Sequence, residues 1–260
     1  MKRTLPPTTA LALLAMASAL AAAGDAGSGY RWIGGGDFRS SVRFEETTRV
    51  VRVASFSLME RPVSNRDFAA FLARQPQWRR DRVPVVFASP GYLGHWATPQ
   101  VPGPALDPDA PVVHVNWYAA DAYCRAQQAR LPRFVEWEYA AAADATRRDA
   151  RHDARWRMRQ VDDGTPHAID AAPDAPPNAY GIHGLHGAHW EWSEDVASLL
   201  GDGDRRSQQD GDALRYCGAT AMSFNDPGDY GVVKRFVLLS ALPPDATLGN
   251  LGFRCARSTP

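Results

Sequence analysis

The sequence is short of cysteine, of net charge and of long apolar runs, and each shortage removes a class of protein. It has 3 cysteines among 260 residues, enough for one intramolecular disulfide with one thiol left over. Its 29 basic residues balance its 29 acidic residues, so its overall charge does not indicate nucleic acid or an anionic surface as a partner. After the N-terminal run, no stretch has the roughly 20 apolar residues that a membrane-spanning helix needs.

The one long apolar run lies at the N-terminus and predicts an export signal. Lys2 and Arg3 precede a segment rich in leucine and alanine that ends in small residues at 21–23. A basic start, a short apolar core and small residues before the cleavage point are typical of a secretory signal peptide. We therefore predict a signal peptide at residues 1–23 and a periplasmic or secreted protein without a membrane span after cleavage. The alternative is an uncleaved anchor.

The remaining length fits one domain, predicted over residues 28–258. About 235 residues are enough for a single core, and no linker or internal repeat divides them. Ser64, with Asp67 three residues later, predicts the start of a helix that buries Phe68. Short alternating apolar runs predict antiparallel strands at residues 30–33, 50–53 and 56–59.

The most informative stretch is residues 109–143, DAPVVHVNWYAADAYCRAQQARLPRFVEWEYAAAA. Its apolar run at Val112–Val115 predicts a buried strand. Asn116 is placed to cap a helix, and Cys124 lies on the apolar face of that helix. Pro132 ends this helix, and a second helix follows. From periodicity alone the stretch is a core hairpin of two amphipathic helices.

Three motifs, in the same order along the chain, resemble the formylglycine-generating-enzyme family, also called the sulfatase-modifying factor domain. They are PVVHVNWYAADAYC followed by RLPRFVEWEYAA, then NAYGIHGLHGAHWEWSED at 178–195, then NLGFRCAR at 250–257. The resemblance implies an α+β, C-type-lectin-like fold with small antiparallel sheets, short helices and much irregular structure. It also implies a disulfide between Cys124 and Cys255, which leaves Cys217 unpaired.

The two calcium sites of the family map unequally onto this chain. One follows a YPWG motif that the sequence lacks, so we expect that site to be absent. The other maps onto the second motif, where His186, Gly187 and His189 would bind through carbonyls and Glu191 through its carboxylate. This oxygen set is compatible with calcium. His183, His186 and His189, spaced by three, also offer imidazoles of the kind that bind copper, zinc or iron.

The catalysis of the family depends on two cysteines that bind copper(I) as thiolates and oxidise a substrate cysteine. In the register that matches Ser223-Phe224 and Pro244-Asp245 to the family, those two positions hold Asp226 and Gly231. Neither residue can act as a soft thiolate ligand. The resemblance therefore implies a divergent member that does not make formylglycine by the usual route, and it leaves copper or another redox metal without an assigned site.

Two further strings narrow the resemblance. CGATAMS at 217–223 and ATRRDAR at 145–151 look most like members associated with copper nitrite reductase, and other exported members complete the pyoverdine chromophore. These members imply a maturation or accessory role toward a periplasmic protein substrate or a cuproenzyme. Two hypotheses follow. One is an oxidoreductase that uses Cys217, Asp226 and Arg235 beside the tryptophan-rich turn, and the other is a non-catalytic binding or assembly factor on the same scaffold.

Overall fold

Residues 29–42, 50–163, 176–187, 189–195 and 224–259 are described in this computed structural model. Within them, short elements are joined by long irregular segments. The helices are α1 (Asn65–Arg74), α2 (Trp117–Ala126), α3 (Phe134–Ala141), α4 (Ala154–Asp163) and α5 (Tyr230–Ala241), with 3-10 turns at Pro76–Trp78 and Val85–Phe87. None of these helices is long and apolar enough to span a membrane.

The described strands form three small sheets. They are β1 (Tyr30–Ile33), β2 (Gly36–Phe38), β3 (Val51–Val53), β4 (Phe56–Met59), β5 (Trp190–Glu191), β6 (Leu251–Gly252) and β7 (Ala256–Ser258). β4 lies between β1 and β7 in an antiparallel sheet, where Phe56 is opposite both Ile33 and Ser258. β2 pairs antiparallel with β3, and β5 pairs parallel with β6. The predicted N-terminal strands and the mixed α+β architecture are confirmed.

Side-chain caps start α1 and α2 where the sequence predicts them. The Ser64 hydroxyl accepts from the amide three residues later at 3.1 Å, and the Asn116 side chain does the same at 2.8 Å. Each bond satisfies an amide that the first helical turn leaves without a partner. Phe68 of α1 and Cys124 of α2 are buried, so the apolar faces predicted for both helices are confirmed.

The segment Val112–Val115 is not a strand, and that prediction is wrong. Its valines are buried, but its amides bond to scattered partners rather than to one neighbouring strand. Val112 N donates to Val63 O at 2.9 Å, and His114 N donates to Leu248 O at 3.0 Å. His114 has a φ of 53°. This left-handed conformation interrupts an extended ladder, so the apolar run indicated burial without indicating the backbone geometry.

The core is centred on aromatic rings from α1, α2 and the C-terminal motif. The Tyr123 ring centre lies 5.3 Å from that of Phe71 and 5.3 Å from that of Phe253. Directly after Tyr123, the structure joins Cys124 to Cys255 in a disulfide, with the Cα atoms 5.5 Å apart. This is the pair that the family resemblance implied. The bridge fixes α2 to the segment that enters β7.

Candidate functional site

A cleft of about 550 Å³ opens among the end of β2, helix α4 and the segment before α5. Its wall is rich in arginine and aromatic side chains. The residues of this cleft wall are Asp37, Phe38, Arg39, Ser40, Tyr139, Arg148, Asp149, Arg151, His152, Arg157, Tyr180, Asn225 and Asp226. Asp226 is one of the two residues that the sequence register places at the catalytic cysteine positions of the family. The cleft is therefore the candidate functional site.

Hydrogen bonds to the segment after β2 hold Asp226 in place. Asn225 N and Asp226 N donate to Ser41 O at 2.8 and 3.2 Å. The Asn225 side chain also donates to Ser40 O at 3.0 Å, across a sequence separation of 185 residues. The position of the Asp226 carboxylate therefore depends on two distant parts of the chain.

Asp226 forms an ion pair with an arginine of α4. Arg157 Nη2 lies 3.0 Å from Asp226 Oδ2, and 31% of the arginine side chain and 42% of the aspartate side chain are exposed. Arg157 Nε also donates to Arg151 O at 2.5 Å, which orients the guanidinium. Asp226 is thus a carboxylate matched by a cation, at a position that the sequence register matches to a thiolate of the family.

A buried carboxylate supports the serines that hold Asp226. Glu138 of α3 accepts from the Ser40 hydroxyl and, at 2.6 Å, from Ser41 N. The Ser41 hydroxyl donates to Asp229 Oδ2 at 2.9 Å. Burial raises the pKa of Glu138 to about 7, although the bonds from the two serines act in the opposite direction. The two serines therefore connect the cleft to a buried carboxyl, Glu138, whose pKa is near neutral.

Arg235, predicted to act with Asp226, is not part of the cleft wall. It is 3% exposed, its guanidinium lies 3.9 Å from the centre of the Trp137 ring, and it donates to Glu191 O. Its Nε has no hydrogen-bond partner in the part of the chain that is described. Burial lowers the pKa of Arg235 to about 9, against the opposing charge of Glu191 and with a smaller lowering from the charge of Arg254. The structure therefore does not bring Arg235 and Asp226 together in the cleft.

Glu191, the predicted calcium-binding carboxylate, is bound by an arginine. Arg254 donates to both carboxylate oxygens, from Nη2 at 2.6 Å and from Nε at 2.8 Å. The side chains of Arg254 and Glu191 are 0% and 1% exposed. The guanidinium places a positive charge against the oxygens that a calcium ion would need. The Glu191 carboxylate is therefore already matched by a cation, and calcium at this turn stays a prediction.

The histidines of the same turn face different partners. His186 Nε2 lies 2.5 Å from Ala141 O, and His183 Nε2 lies 3.5 Å from Glu60 Oε1. Burial lowers the pKa of His189. Across the described ranges, no group of three or more metal-binding side chains is present. The spacing of three does not bring these imidazoles together.

Two further positions were considered in connection with catalysis, Cys217 and Gly231. Cys217 lies in residues 196–223, outside the described residues, so its place beside the cleft stays a prediction. Gly231 is the second residue of α5 and has no side chain to bind a metal. Of the two positions that the sequence register matches to the copper thiolates of the family, one therefore holds a paired carboxylate and the other a helical glycine.

Sequence reasoning did not identify Arg157 or Glu138 as site residues. Arg157 lies in a charged segment without apolar periodicity, and its partner is 69 residues away. Glu138 lies in a motif whose spacing indicated only a core helix. A glutamate is rarely buried in such a helix unless its carboxylate has a partner, which was the available signal. The string ATRRDAR, which served only to narrow the family resemblance, supplies Arg148, Asp149 and Arg151 of the cleft wall.

Comparisons with known proteins agree with this fold. A family model described as the sulfatase-modifying factor enzyme 1-like domain matches residues 23–259. The chain belongs to this family, and the resemblance of the three motifs is confirmed. A formylglycine-generating enzyme of Streptomyces coelicolor is 34% identical over 198 residues, which span 62% of this chain and 58% of that protein.

Other relatives differ in the activity that their names describe. The inactive C-alpha-formylglycine-generating enzyme 2 of Mus musculus is 29% identical over 269 residues, spanning 88% of this chain and 84% of that protein. A hercynine oxygenase of Mycolicibacterium thermoresistibile is 33% identical and spans 57% of this chain and 37% of that protein. The solved structure of PvdO from Pseudomonas aeruginosa covers 88% of this chain and 94% of its own, with a TM-score of 0.48 and 15% identity.

Proposed function

We propose that this protein is an exported maturation or accessory factor that binds a target polypeptide in the cleft and does not make formylglycine through copper thiolates. The observation that carries the proposal is the Arg157–Asp226 ion pair at a catalytic cysteine position of the family. A carboxylate is a hard ligand, and here a guanidinium neutralises it, whereas copper(I) prefers soft thiolates. Gly231, at the second position, contributes no ligand atom.

The composition of the cleft wall supports a binding role. The volume of the cleft, about 550 Å³, lies in the usual range of ligand sites. Arg151 lies over the Phe38 ring at 4.2 Å and Arg148 over the Tyr180 ring at 5.6 Å. Arginine and aromatic side chains are enriched where proteins bind one another. A relative whose name describes it as inactive aligns with 88% of this chain, which also supports a role without the catalysis of the family.

Copper(I) titration against a competing chelator tests the absence of thiolate chemistry. We expect the mature protein to show no tight copper(I) site in the cleft, because Asp226 and Gly231 supply no thiolate. The double variant D226C/G231C is the matched control and should gain copper(I) affinity. Oxygen uptake with a cysteine-containing peptide should stay at background for the natural sequence. Copper-dependent oxygen uptake by that protein would contradict the proposal.

Site-specific photo-crosslinking tests the binding role. A photoreactive residue replaces His152 of the cleft wall, and a matched one replaces Arg155, which is exposed on α4 outside the wall. We expect position 152, and not position 155, to crosslink to a periplasmic protein, with cuproenzymes as the class that the family resemblance favours. The crosslinked protein is then purified and its binding measured directly. Crosslinking from neither position, or equally from both, contradicts a target in the cleft.

An oxidoreductase is the second candidate, because relatives of this chain include proteins named hercynine oxygenase. In this role Cys217 and Asp226 would act with copper or another redox metal, and Arg235 would act only from outside the cleft wall. Metal analysis of the protein purified from its native compartment, with Cys217→Ser for comparison, separates the candidates. Loss of bound metal from a folded Cys217→Ser variant supports the oxidoreductase. Absence of redox metal from both proteins supports the binding role.

A further inference from the structure

We infer that the cleft selects an acidic segment of its target, whose carboxylates bind to Arg39 and Arg148. The inference rests on the proposed binding function and names the chemical class of the ligand. Its starting point is the charge on the cleft wall, which carries four arginines and three aspartates. The aspartates are all matched by arginines, and within the described ranges two arginines of the wall are not matched by any carboxylate.

Every aspartate of the wall already has an arginine partner. The pairs are Asp37–Arg52 at 2.9 Å, Asp149–Arg151 at 2.8 Å and Asp226–Arg157 at 3.0 Å. Because a guanidinium matches each carboxylate, the three aspartates add little net negative charge to the cleft. A cationic ligand would find no unpaired carboxylate on this wall.

The two remaining arginines have no ionic partner among the residues that the structure describes. Neither Arg39 nor Arg148 forms an ion pair with a residue in the part of the chain that the structure describes. Both residues are exposed at the cleft. The Arg148 guanidinium lies 5.6 Å from the centre of the Tyr180 ring, a contact that leaves its charge in place. In a concave site, two cations without a described partner favour an anionic ligand.

The backbone beneath both arginines is held in place. Arg39 O accepts from Arg151 Nη1 at 2.6 Å. Arg147, next to Arg148, is tied to Asp144 at 2.5 Å. A fixed backbone lowers the entropy that is lost when a side chain is ordered by a ligand. The planar guanidinium matches a carboxylate with two parallel hydrogen bonds, and a polypeptide supplies such carboxylates on its aspartates and glutamates.

The wall also offers apolar surface to the same ligand. The ring centres of Phe38 and Tyr139 lie 5.2 Å apart, edge to face. Phe38 is 5% exposed and Arg151 lies over its ring. The half-buried Tyr139 ring is therefore the one that an apolar side chain could cover, which would add to the attraction of the arginines. We therefore expect the preferred segment to combine acidic residues with an aromatic or aliphatic residue.

Fluorescence anisotropy with labelled peptides tests this inference. The probe is an octapeptide of alternating glutamates and phenylalanines, and matched peptides carry glutamine or lysine in place of every glutamate. Because the ligand charges meet two unmatched arginines, we expect the glutamate peptide to bind about tenfold or more tightly than the glutamine peptide, and less tightly as salt rises. The lysine peptide should not bind. Free glutarate, compared at equal carboxylate concentration, should compete weakly.

Single substitutions locate the effect. Arg39→Gln and Arg148→Gln are each expected to weaken binding of the glutamate peptide about fivefold, and together to remove its advantage over the glutamine peptide. Arg155→Gln, an exposed change on α4 outside the wall, is the matched control and should leave binding unchanged. Thermal unfolding should show the same midpoint for all these variants, because the substituted side chains are exposed.

Several outcomes overturn the inference, and they differ from those that overturn the proposed function. Equal binding of the glutamate and glutamine peptides removes the charge preference while leaving polypeptide binding intact. Equal competition by glutarate identifies a free dicarboxylate as the ligand in place of a peptide segment. No binding of the glutamate peptide also refutes the inference. The proposed function itself is refuted if position 152 does not crosslink, or crosslinks no more than position 155, and that result does not depend on peptide charge.

Discussion

Two arginine–carboxylate pairs of this protein have the same chemistry in different surroundings. Arg254 and Glu191 are 0% and 1% exposed, whereas Arg157 and Asp226 are 31% and 42% exposed. A buried pair cannot lose one partner without leaving the other charge in a poorly solvated place. The cleft pair stays in contact with water, so losing one partner costs little.

The two pairs also differ in what they connect. Arg254 donates to Met59 O of β4 at 3.2 Å and to His183 O at 2.9 Å, in addition to Glu191 of β5. It therefore fastens several segments together. Arg157 and Asp226 join α4 to the segment before α5 at an open surface. The buried pair of Arg254 and Glu191 thus stabilises the fold. The exposed pair of Arg157 and Asp226 is open to a ligand.

Removing the Cys124–Cys255 disulfide, which adjoins Arg254 on the buried side of this comparison, is expected to have the largest effect on stability, because the bridge closes a long loop in the unfolded chain. It links positions separated by 131 residues. Replacing both cysteines by alanine should lower the free energy of unfolding by about 4–5 kcal/mol, as urea unfolding can measure. The native mature protein should show one free thiol, from Cys217. Three free thiols would contradict the bridge.

Arg254→Met should be the next most damaging change. It leaves the Glu191 carboxylate buried without a cation, at an expected cost of about 3–5 kcal/mol in the free energy of unfolding. The matched change Arg157→Met in the cleft should cost less than about 1 kcal/mol. Replacing Glu191 by leucine in the Arg254→Met variant should recover part of the loss. Equal losses for Arg254→Met and Arg157→Met would show that burial does not distinguish the two pairs.

Glu138 should make the stability of the cleft side depend on pH. Burial raises its pKa from 4.5 to about 7, so the folded state binds this proton more tightly than the unfolded state. The free energy of unfolding should therefore fall as pH rises between these two values, by a few kcal/mol at most, and level off on either side. Glu138→Gln should flatten this slope in urea unfolding measured at several pH values. A slope that persists in Glu138→Gln assigns the titration to another group.

Asp226→Asn should have the smallest effect on stability, under about 1 kcal/mol, because the pair is partly exposed. It should still change binding, since Arg157 becomes a third unmatched cation on the cleft wall. We expect the glutamate peptide to bind more tightly to this variant. Asp109→Asn, which breaks an exposed pair with Arg66 elsewhere, is the control and should leave binding unchanged. Weaker binding to Asp226→Asn would show that the cleft pair is not open to ligand.

Features that act over a few residues could be predicted from the sequence alone. The caps at Ser64 and Asn116 each join groups three residues apart, so the local string contains all that determines them. The Cys124–Cys255 disulfide could be predicted only because both cysteines match motifs of the family. Arg157 and its partner in the cleft belong to no such matched pair, and nothing in the local sequence indicates that they meet.

The two clearest failures have physical causes. Val112–Val115 has the composition of a strand, but the left-handed conformation of His114 prevents regular pairing. Arg235 was predicted to share a pocket with Asp226 and the tryptophan-rich turn, and the structure places it against that turn but outside the cleft wall. Helix α5 buries it instead, since it shares a face with Val232 and Leu239. Its charge predicts that an arginine is exposed, even on an apolar helix face. The structure instead places the Arg235 guanidinium over the Trp137 ring.

The Cys124–Cys255 bridge has a further consequence for a protein that we propose to be exported among proteases. It closes a covalent ring that contains α3, α4 and α5 and most of the cleft wall. One proteolytic cut at any point in this ring leaves two fragments that still travel as one molecule on a non-reducing gel. The wall residues at 37–40 lie outside the ring, and a cut between them and the ring would release them from all but non-covalent contacts.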